Sequence, residues 1–190
     1  MKIISGYARG VELLSPDADA KVRPTIGRSR EALFSSLGDL AGARVLDLFS
    51  GSGALGLEAA SRGAARVVMV ELERSHLRII EENIRRVKRT GAPGELLAVA
   101  ADATIPANYL GGGGFDLVLA DPPYAASFEA FGKLAGTVGK FFPGFAGARI
   151  VWELPDEPGA AGKFIELAAE AGANWDLRKF GGTEFLWLRL

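Results

Sequence analysis

The run Val45-Leu46-Asp47-Leu48-Phe49-Ser50-Gly51-Ser52-Gly53-Ala54-Leu55-Gly56 contains the pattern that decides the fold. Its first five residues are apolar except for Asp47, which is typical of a short buried strand, and a helical pattern follows from about Ala54 to Arg62. Glycines between the two elements let a ligand approach the backbone N–H groups at the open helix N-terminus. The run predicts a strand, a glycine loop and a helix that bind a nucleotide-like cofactor, although glycines alone also fit a tight turn without a ligand.

Strands and helices alternate downstream of this run. Further strands are predicted at Val67 to Glu71, Leu96 to Ala100, Phe115 to Ala120 and Arg149 to Leu154, with helical patterns at Arg74 to Arg89, Ser127 to Lys140 and Ala161 to Ala171. The last stretch, Trp175 to Leu190, reads as two strands that meet at Gly181-Gly182. This order predicts an α/β fold: a mainly parallel sheet with helices on both faces and an antiparallel edge at the C-terminal end.

The residues before the first run form a smaller unit in the pattern. Ile3 to Leu14 reads as two short strands around the turn Ala8-Arg9-Gly10, and a helix is predicted between a Thr25 N-cap and Gly38. We therefore divide the chain into an N-terminal extension, residues 1–38, and a main domain, residues 39–190.

Charge is distributed unevenly along the 190 residues, although the net charge is only −1. Residues 1–30 carry a balance of +3, which leaves −4 for the remainder of the chain. A basic end of this kind indicates a surface for an acidic polymer such as RNA. The cations expected to contact RNA phosphates are Arg9, Arg23, Arg28 and Arg30.

Several classes of protein are disfavoured by composition. The sequence has no cysteine and a single histidine, His76, which excludes disulfides, thiolate zinc sites and histidine-rich metal centres. Its N-terminal residues do not resemble a signal peptide, and no apolar stretch approaches the length of a membrane span. We expect a cytoplasmic protein without a metal ion.

An acidic residue ends the strand that follows the glycine loop. Glu71 lies twenty residues after Gly51, where a carboxylate can accept both hydroxyl groups of a ribose. NAD and S-adenosylmethionine both contain an adenosine ribose, but Asp47 would repel the pyrophosphate of NAD and attract the ammonium and sulfonium groups of S-adenosylmethionine. The sequence therefore favours the methyl donor. Asp47 also fits a buried carboxylate that accepts loop N–H bonds, and Asp102 fits either an acceptor for the adenine amine or a turn residue.

A second motif, Asp121-Pro122-Pro123-Tyr124, follows the apolar strand Phe115 to Ala120 directly, at the edge of the sheet where such folds bind ligands. The prolines restrict the backbone, so the Asp121 carboxylate and the Pro122 carbonyl become fixed acceptors. Two acceptors can hold an exocyclic amine, localise its lone pair and aim its nitrogen at a methyl carbon. We expect Tyr124 to stack on the base, whereas a rigid proline turn with a surface aromatic ring is the alternative.

The aspartate of this motif favours guanine as the target base. Guanine presents N1–H and N2–H side by side as donors to a carboxylate, whereas N1 of adenine is an acceptor. The base edge must enter a pocket, so we expect an unpaired or flipped nucleotide. The alternatives are an adenine in DNA or a protein glutamine as the methyl acceptor, an NAD-dependent oxidoreductase, and a non-catalytic RNA-binding module.

Four blocks of residues point to one family. They are Ile3-Ile4-Ser5-Gly6 with Arg9-Gly10, Arg23-Pro24-Thr25 with Arg30-Glu31-Ala32-Leu33-Phe34, Leu46 to Ala59 with Ser61-Arg62-Gly63-Ala64, and Asp121-Pro122-Pro123-Tyr124. With these blocks the chain resembles, over nearly its whole length, the bacterial guanine-N2 methyltransferases that act on a single guanine of 16S ribosomal RNA.

The resemblance implies a class I methyltransferase fold, a Rossmann-like seven-stranded sheet whose last strand is antiparallel, with an N-terminal extension that helps to grip RNA. It implies S-adenosylmethionine as the cofactor and ribosomal RNA as the partner, which we expect within an assembling small subunit and bound by a monomer. The expected cofactor contacts are Asp47, Phe49, Gly51, Ser52, Gly53, Glu71 and Asp102. The expected catalytic residues are Asp121, Pro122, Pro123 and Tyr124.

Overall fold

A computed structural model describes residues 1–16, 24–109, 114–135 and 147–189 of the chain. The helices are α1 (Pro24–Leu37), α2 (Ala54–Ser61), α3 (Arg74–Lys88), α4 (Tyr124–Ala135) and α5 (Ala160–Glu170). The strands are β1 (Arg44–Leu48), β2 (Arg66–Glu71), β3 (Glu95–Ala100), β4 (Leu117–Ala120), β5 (Arg149–Glu153), β6 (Asn174–Phe180) and β7 (Thr183–Arg189). The last residues of the helix predicted at Ser127 to Lys140 lie outside the described part.

The strands form one seven-stranded sheet in the order β3-β2-β1-β4-β5-β7-β6. Strands β1 to β5 pair in parallel, and β7 runs antiparallel to both β5 and β6. The order reverses at β1, where chain connections leave toward opposite sides, and ligands of open α/β sheets bind beyond the carboxyl ends of the strands at such a point. The predicted fold class, including the antiparallel last strand, is confirmed.

Alternation along the strands builds a core on each face of the sheet. Leu46, Val118 and Trp152 belong to the cluster that packs under α4 and α5. Val45 and Leu117 belong to the opposite cluster, which also takes in side chains of the N-terminal residues and of α1, α2 and α3. Residues on a strand alternate between faces, so each central strand contributes to both clusters.

The N-terminal arm, residues 1–14, differs from the predicted pair of strands. Only Lys2 and Glu12 form an antiparallel bridge. Ile3 donates its N–H to the Val11 carbonyl at 3.0 Å and accepts the Gly10 N–H at 2.9 Å, while the side chain of Glu58 accepts N–H bonds from Ile4 and Ser5 at 2.7 and 3.1 Å. The two predicted segments therefore pair around the turn, but they form a single bridge rather than two full strands, because side chains of α2 satisfy the neighbouring backbone groups. Helix α1 begins at Pro24, one residue before the predicted cap.

None of the helices in the described ranges is long and apolar enough to cross a membrane.

Candidate active site

The carboxyl ends of the central strands open into a cavity of about 750 Å³. Seven of the described carboxyl groups line it, and four of these lie at the ends of the central strands: Asp47, Glu71, Asp121 and Glu153. Asp47, Glu71 and Glu153 lie on β1, β2 and β5, and Asp121 directly follows β4, so the four residues belong to neighbouring strands. Their alternation along the strands places them on the same face of the sheet as the core cluster that includes α1, α2 and α3. The topology thus gathers negative charge at one edge and on one side of the sheet.

The glycine loop between β1 and α2 contains the left-handed residues Phe49, Gly51 and Gly53, with φ of 59, 54 and 78°. A positive φ is uncommon for a residue with a side chain and marks backbone held by its surroundings. Here the ring of Phe49 packs edge-on against Trp152, with centroids 5.9 Å apart, and lines the cavity. The loop therefore turns sharply while Phe49 stays in the cavity wall.

Gly56, in the first turn of α2, allows this helix to approach β1 and β2. A Cβ at this position would lie 2.8 Å from the Met69 side chain and 3.0 Å from Oδ2 of Asp47. The Gly56 N–H donates to that oxygen at 2.8 Å. Close packing of α2 and the bond to Asp47 therefore depend on the same missing side chain.

Asp47 is almost completely buried, with 1% of its surface exposed. Desolvation raises the pKa of its carboxyl group to about 7, the hydrogen bond from Gly56 opposes this rise, and the charges of Asp121 and Glu71 add to it. An acid in this position gains from a cationic neighbour, because such a neighbour offsets the cost of the buried charge. Asp47 thus marks a place for a cation in the cavity.

Glu71 ties the end of β2 to the glycine loop. Its Oε2 accepts the Gly51 N–H at 2.8 Å and its Oε1 accepts the Glu73 N–H at 2.9 Å. His76, which also lines the cavity, places Nδ1 3.8 Å from Oε1. The carboxylate is therefore held in the plane of the loop, and further lone pairs on each oxygen can accept ligand hydroxyl groups.

Asp102 lies after β3, the strand next to β2, and lines the cavity. Its Oδ1 accepts bonds from both the N–H and the hydroxyl group of Thr104, each at 2.8 Å. This is the geometry of a turn residue, one of the two interpretations of Asp102, and it also fixes the carboxylate in the cavity wall.

The motif Asp121-Pro122-Pro123-Tyr124 joins β4 to α4 and lines the cavity. The surface of Asp121 is accessible from the open cavity, but protein atoms surround the residue on its other sides. The resulting desolvation raises the pKa of its carboxyl group. Tyr124, half of whose surface is exposed, begins α4. An acceptor and an aromatic face therefore project into the same space.

Glu153, the last residue of β5, was not among the residues predicted from sequence. The register pairs Ala120 with Trp152, so the next positions, Asp121 and Glu153, are neighbours on adjacent parallel strands. Burial and the charge of Asp121 raise the pKa of the Glu153 carboxyl group, and a hydrogen bond from Tyr124 opposes the rise. A single glutamate at a strand end forms no motif, so only the register reveals it.

The wall of the cavity brings together all but one of the residues predicted for cofactor and catalysis. The exception is Gly53, which instead donates its N–H to the Ser50 carbonyl at 2.7 Å and is the N-cap residue of α2. The remaining members are Asp47, Phe49, Gly51, Ser52, Glu71, Asp102, Asp121, Pro122, Pro123 and Tyr124.

The predicted RNA-contacting arginines occupy different environments. Arg9 and Arg28 are exposed, whereas Arg23 lies outside the described residues. Arg30 is buried, lines the cavity, and donates a hydrogen bond to the Lys2 carbonyl. Desolvation lowers the pKa of its guanidinium group, and the charge of Glu58 opposes the decrease. Arg30 thus belongs to the wall of the site.

Residues 1–138 match the model of the protein family described as Conserved hypothetical protein 95. The chain belongs to this family. The matched part includes the arm, the glycine loop and the Asp-Pro-Pro-Tyr motif.

The relatives of this chain include bacterial proteins whose names describe an activity. The chain is 36% identical over 128 residues to "Ribosomal RNA small subunit methyltransferase D" of Escherichia coli K12, across 65% of this chain and 60% of that protein. It is 33% identical over 133 residues to "Putative rRNA methyltransferase YlbH" of Bacillus subtilis, across 65% of this chain and 67% of that protein. The aligned part thus spans less than two thirds of the E. coli relative.

A solved structure extends the likeness to the whole chain. "Putative methyltransferase yhhF" from E. coli superimposes with a TM-score of 0.70 at 29% identity, covering 100% of this chain and 97% of that one. The likeness to this structure therefore covers the fold over the whole chain.

Proposed function

We propose that this protein uses S-adenosylmethionine to methylate the exocyclic N2 amine of a guanine in 16S ribosomal RNA. The observation that carries the proposal is the group of four carboxyl groups around one cavity beside the glycine loop. These charges favour a cationic ligand and oppose an anionic one. S-adenosylmethionine brings an ammonium and a sulfonium group, whereas NAD brings a pyrophosphate, so the oxidoreductase alternative is disfavoured.

The residues present fit the methyl donor. Asp47, buried and with a raised pKa, would take the ammonium group beside the loop. Glu71 would accept the ribose hydroxyl groups, Asp102 the adenine amine, and Phe49, Gly51 and Ser52 would line the space between them. When bound, S-adenosylmethionine supplies an electrophilic methyl group on sulfur.

Asp121 and Pro122 would activate the guanine amine. The carboxylate and the carbonyl accept its N–H groups and aim the N2 lone pair at the methyl carbon. As the methyl group passes from the donor to N2, Asp121 would take the N2 proton that is released. Tyr124 stacks on the base, with its ring held at the first turn of α4.

The names of the relatives support ribosomal RNA as the substrate. Exposed Arg9 and Arg28, with Arg23, would contact phosphates, and Arg30 would do so from the cavity wall. On this proposal residues 1–38 serve as the RNA-contacting extension of a methyltransferase domain, 39–190. The protein would act as a monomer in the cytoplasm on RNA in an assembling small ribosomal subunit.

The test is methyl transfer from labelled S-adenosylmethionine to 16S RNA and to small-subunit particles from cells that lack this protein. Nucleoside mass spectrometry should detect N2-methylguanosine at one position. Formation of N6-methyladenosine in DNA, or of methylglutamine in a protein, would show that the methyl acceptor is an amine other than N2 of guanine. Binding of NAD without binding of S-adenosylmethionine would contradict methyl transfer itself.

A further inference from the structure

Glu153 is a carboxyl group of the cavity that has no part in the mechanism proposed above. It follows Trp152, whose indole N–H donates to Ser127 at 3.1 Å and whose ring packs on Phe131 at 5.1 Å. These contacts fix the end of β5 against α4. The Glu153 side chain is therefore presented to the cavity from a rigid strand.

Two neighbours orient this carboxyl group. Adjacent strands lie about 4.8 Å apart, so Glu153 and the residue beside it in register, Asp121, enter the cavity side by side. The hydroxyl group of Tyr124 donates a hydrogen bond to Glu153. Glu153 is thus in contact with the proposed stacking residue and next to the proposed acceptor of the amine.

The two carboxyl groups differ in their surroundings. Desolvation raises the pKa of both, and the charge of Asp121 raises that of Glu153 further. This environment favours a neutral Glu153 beside an ionised Asp121. A neutral carboxyl group carries one O–H donor and one carbonyl acceptor.

This arrangement matches the edge of guanine. The N2 amine is followed along the ring edge by the N1–H donor and then by the O6 acceptor. A carboxylate at N2 leaves N1–H and O6 for a neighbouring neutral carboxyl group, which can bond to both. If the amine of an adenine were bonded to Asp121 instead, Glu153 would face the N1 acceptor and then a C–H group, so only one hydrogen bond could form.

We propose that Glu153 reads the ring edge of the target guanine, with its carboxyl group bonded to N1–H and O6 while Asp121 holds the N2 amine. The inference rests on the proposed function and adds a specificity-determining residue to it. If Glu153 only held Tyr124 in place, its substitution would slow methylation of every base to the same extent. If Glu153 bonds to the ring edge, its substitution changes the relative rates for bases that differ at N1 and O6.

The experiment compares two RNA substrates in single turnover. One carries guanosine at the methylated position, and the other carries 2-aminopurine riboside, which keeps the 2-amine but lacks N1–H and O6. The wild-type protein should methylate guanosine about a hundredfold faster or more, because 2-aminopurine has no O6 and no N1–H donor for the carbonyl of Glu153, which is left unpaired. Glu153→Gln, whose amide offers the same donor and acceptor, should keep this preference.

Glu153→Met keeps the chain length but forms neither bond, so its preference should fall to within about tenfold; Glu153→Ala provides a second non-bonding variant. Glu184→Gln, which alters a carboxylate paired with Lys179 on the sheet edge, is the matched control and should behave as wild type. S-adenosylmethionine affinity verifies that each variant is folded. An undiminished preference in the Met and Ala variants would overturn the role of Glu153, whereas absence of N2-methylguanosine with wild-type protein would overturn the proposed function as well.

Discussion

Individual carboxyl groups in this site lower the stability of the folded protein and at the same time favour the binding of a cationic ligand. Asp47 illustrates this, because it is buried with other acids nearby, and yet its Oδ2 accepts the Gly56 N–H that packs α2 on the sheet. Such a group destabilises the protein without ligand and stabilises a bound cation. Binding and stability therefore oppose each other at one residue.

Asp47→Asn should separate the two effects. The unfolded pKa is about 3.8 and the folded pKa about 7, so the free energy of unfolding of the wild type falls as the pH rises through this interval. Asn keeps an acceptor for Gly56 but no charge, and should stabilise the unliganded protein by about 1–4 kcal/mol at pH 8 and by less at pH 5. Urea unfolding at both values measures this difference.

The same variant should bind S-adenosylmethionine about 10- to 100-fold more weakly, since a charge-assisted bond to the ammonium group is lost. Asp116→Asn is the control, because the N–H of Arg44 lowers the pKa of this exposed carboxyl group and no gain at pH 8 is expected. A stability gain for Asp47→Asn that was equal at pH 5 and pH 8 would contradict a raised pKa.

Sequence motifs pointed to residues that the structure places around the cavity, whereas residues that only packing brings there were missed. The glycine loop and Asp121 to Tyr124 are contiguous, so a chemical pattern reveals them. Glu153 enters the site only through the pairing of β4 with β5. Arg30 is one of several N-terminal cations in the sequence, and its burial depends on how the arm folds over α1.

At the scale of elements, two blocks of sequence that are far apart interlock. Ile4 and Ser5 donate to Glu58, and Ala8 donates to the Ser61 hydroxyl group at 2.9 Å. Glu58 is fully buried and also accepts Arg62 Nε at 2.9 Å. The strands and helices of the main sheet could be predicted from local periodicity, but this docking could not, because it depends on side chains of α2 that are more than fifty residues away from the arm.

Glu58→Ala should loosen the arm. It leaves two backbone N–H groups and a guanidinium group without their acceptor, which should cost about 3–5 kcal/mol of unfolding free energy. Hydrogen exchange should accelerate at Ile4 and Ser5 more than in β1. Glu95→Ala, which removes an exposed ion pair with Arg66, should cost less than about 1 kcal/mol. Equal protection of the arm in both variants would mean that Glu58 does not hold it.

At the scale of the whole molecule, the net charge is close to zero, but positive and negative charges are concentrated in different parts of the chain. The strand-end carboxyl groups line the cavity, while Arg9 and Arg28 in the N-terminal part are exposed to solvent. RNA contact is then expected to come from a few phosphate-binding side chains, with the acidic site reserved for the methyl donor and one base.

This separation predicts the salt dependence of RNA binding. Replacement of Arg9 and Arg28 by Ala should each lower the log–log slope by about 0.7–0.9, because each contact to phosphate releases counterions. Arg44→Ala is the control, since Arg44 pairs with Asp116 at the opposite, amino ends of the strands. Binding assays at several salt concentrations measure the slopes. An Arg9/Arg28 double variant with the slope of wild type would place the RNA elsewhere.

The measurement that bears most directly on the account is single-turnover methyl transfer by wild-type protein and by Asp121→Asn. The variant keeps the shape of the pocket but loses the charge that receives the amine proton, so S-adenosylmethionine should bind as before. Its rate of N2-methylguanosine formation should fall by about a hundredfold or more. A wild-type rate in Asp121→Asn, or a wild-type product other than N2-methylguanosine, would contradict the assignment of this cavity.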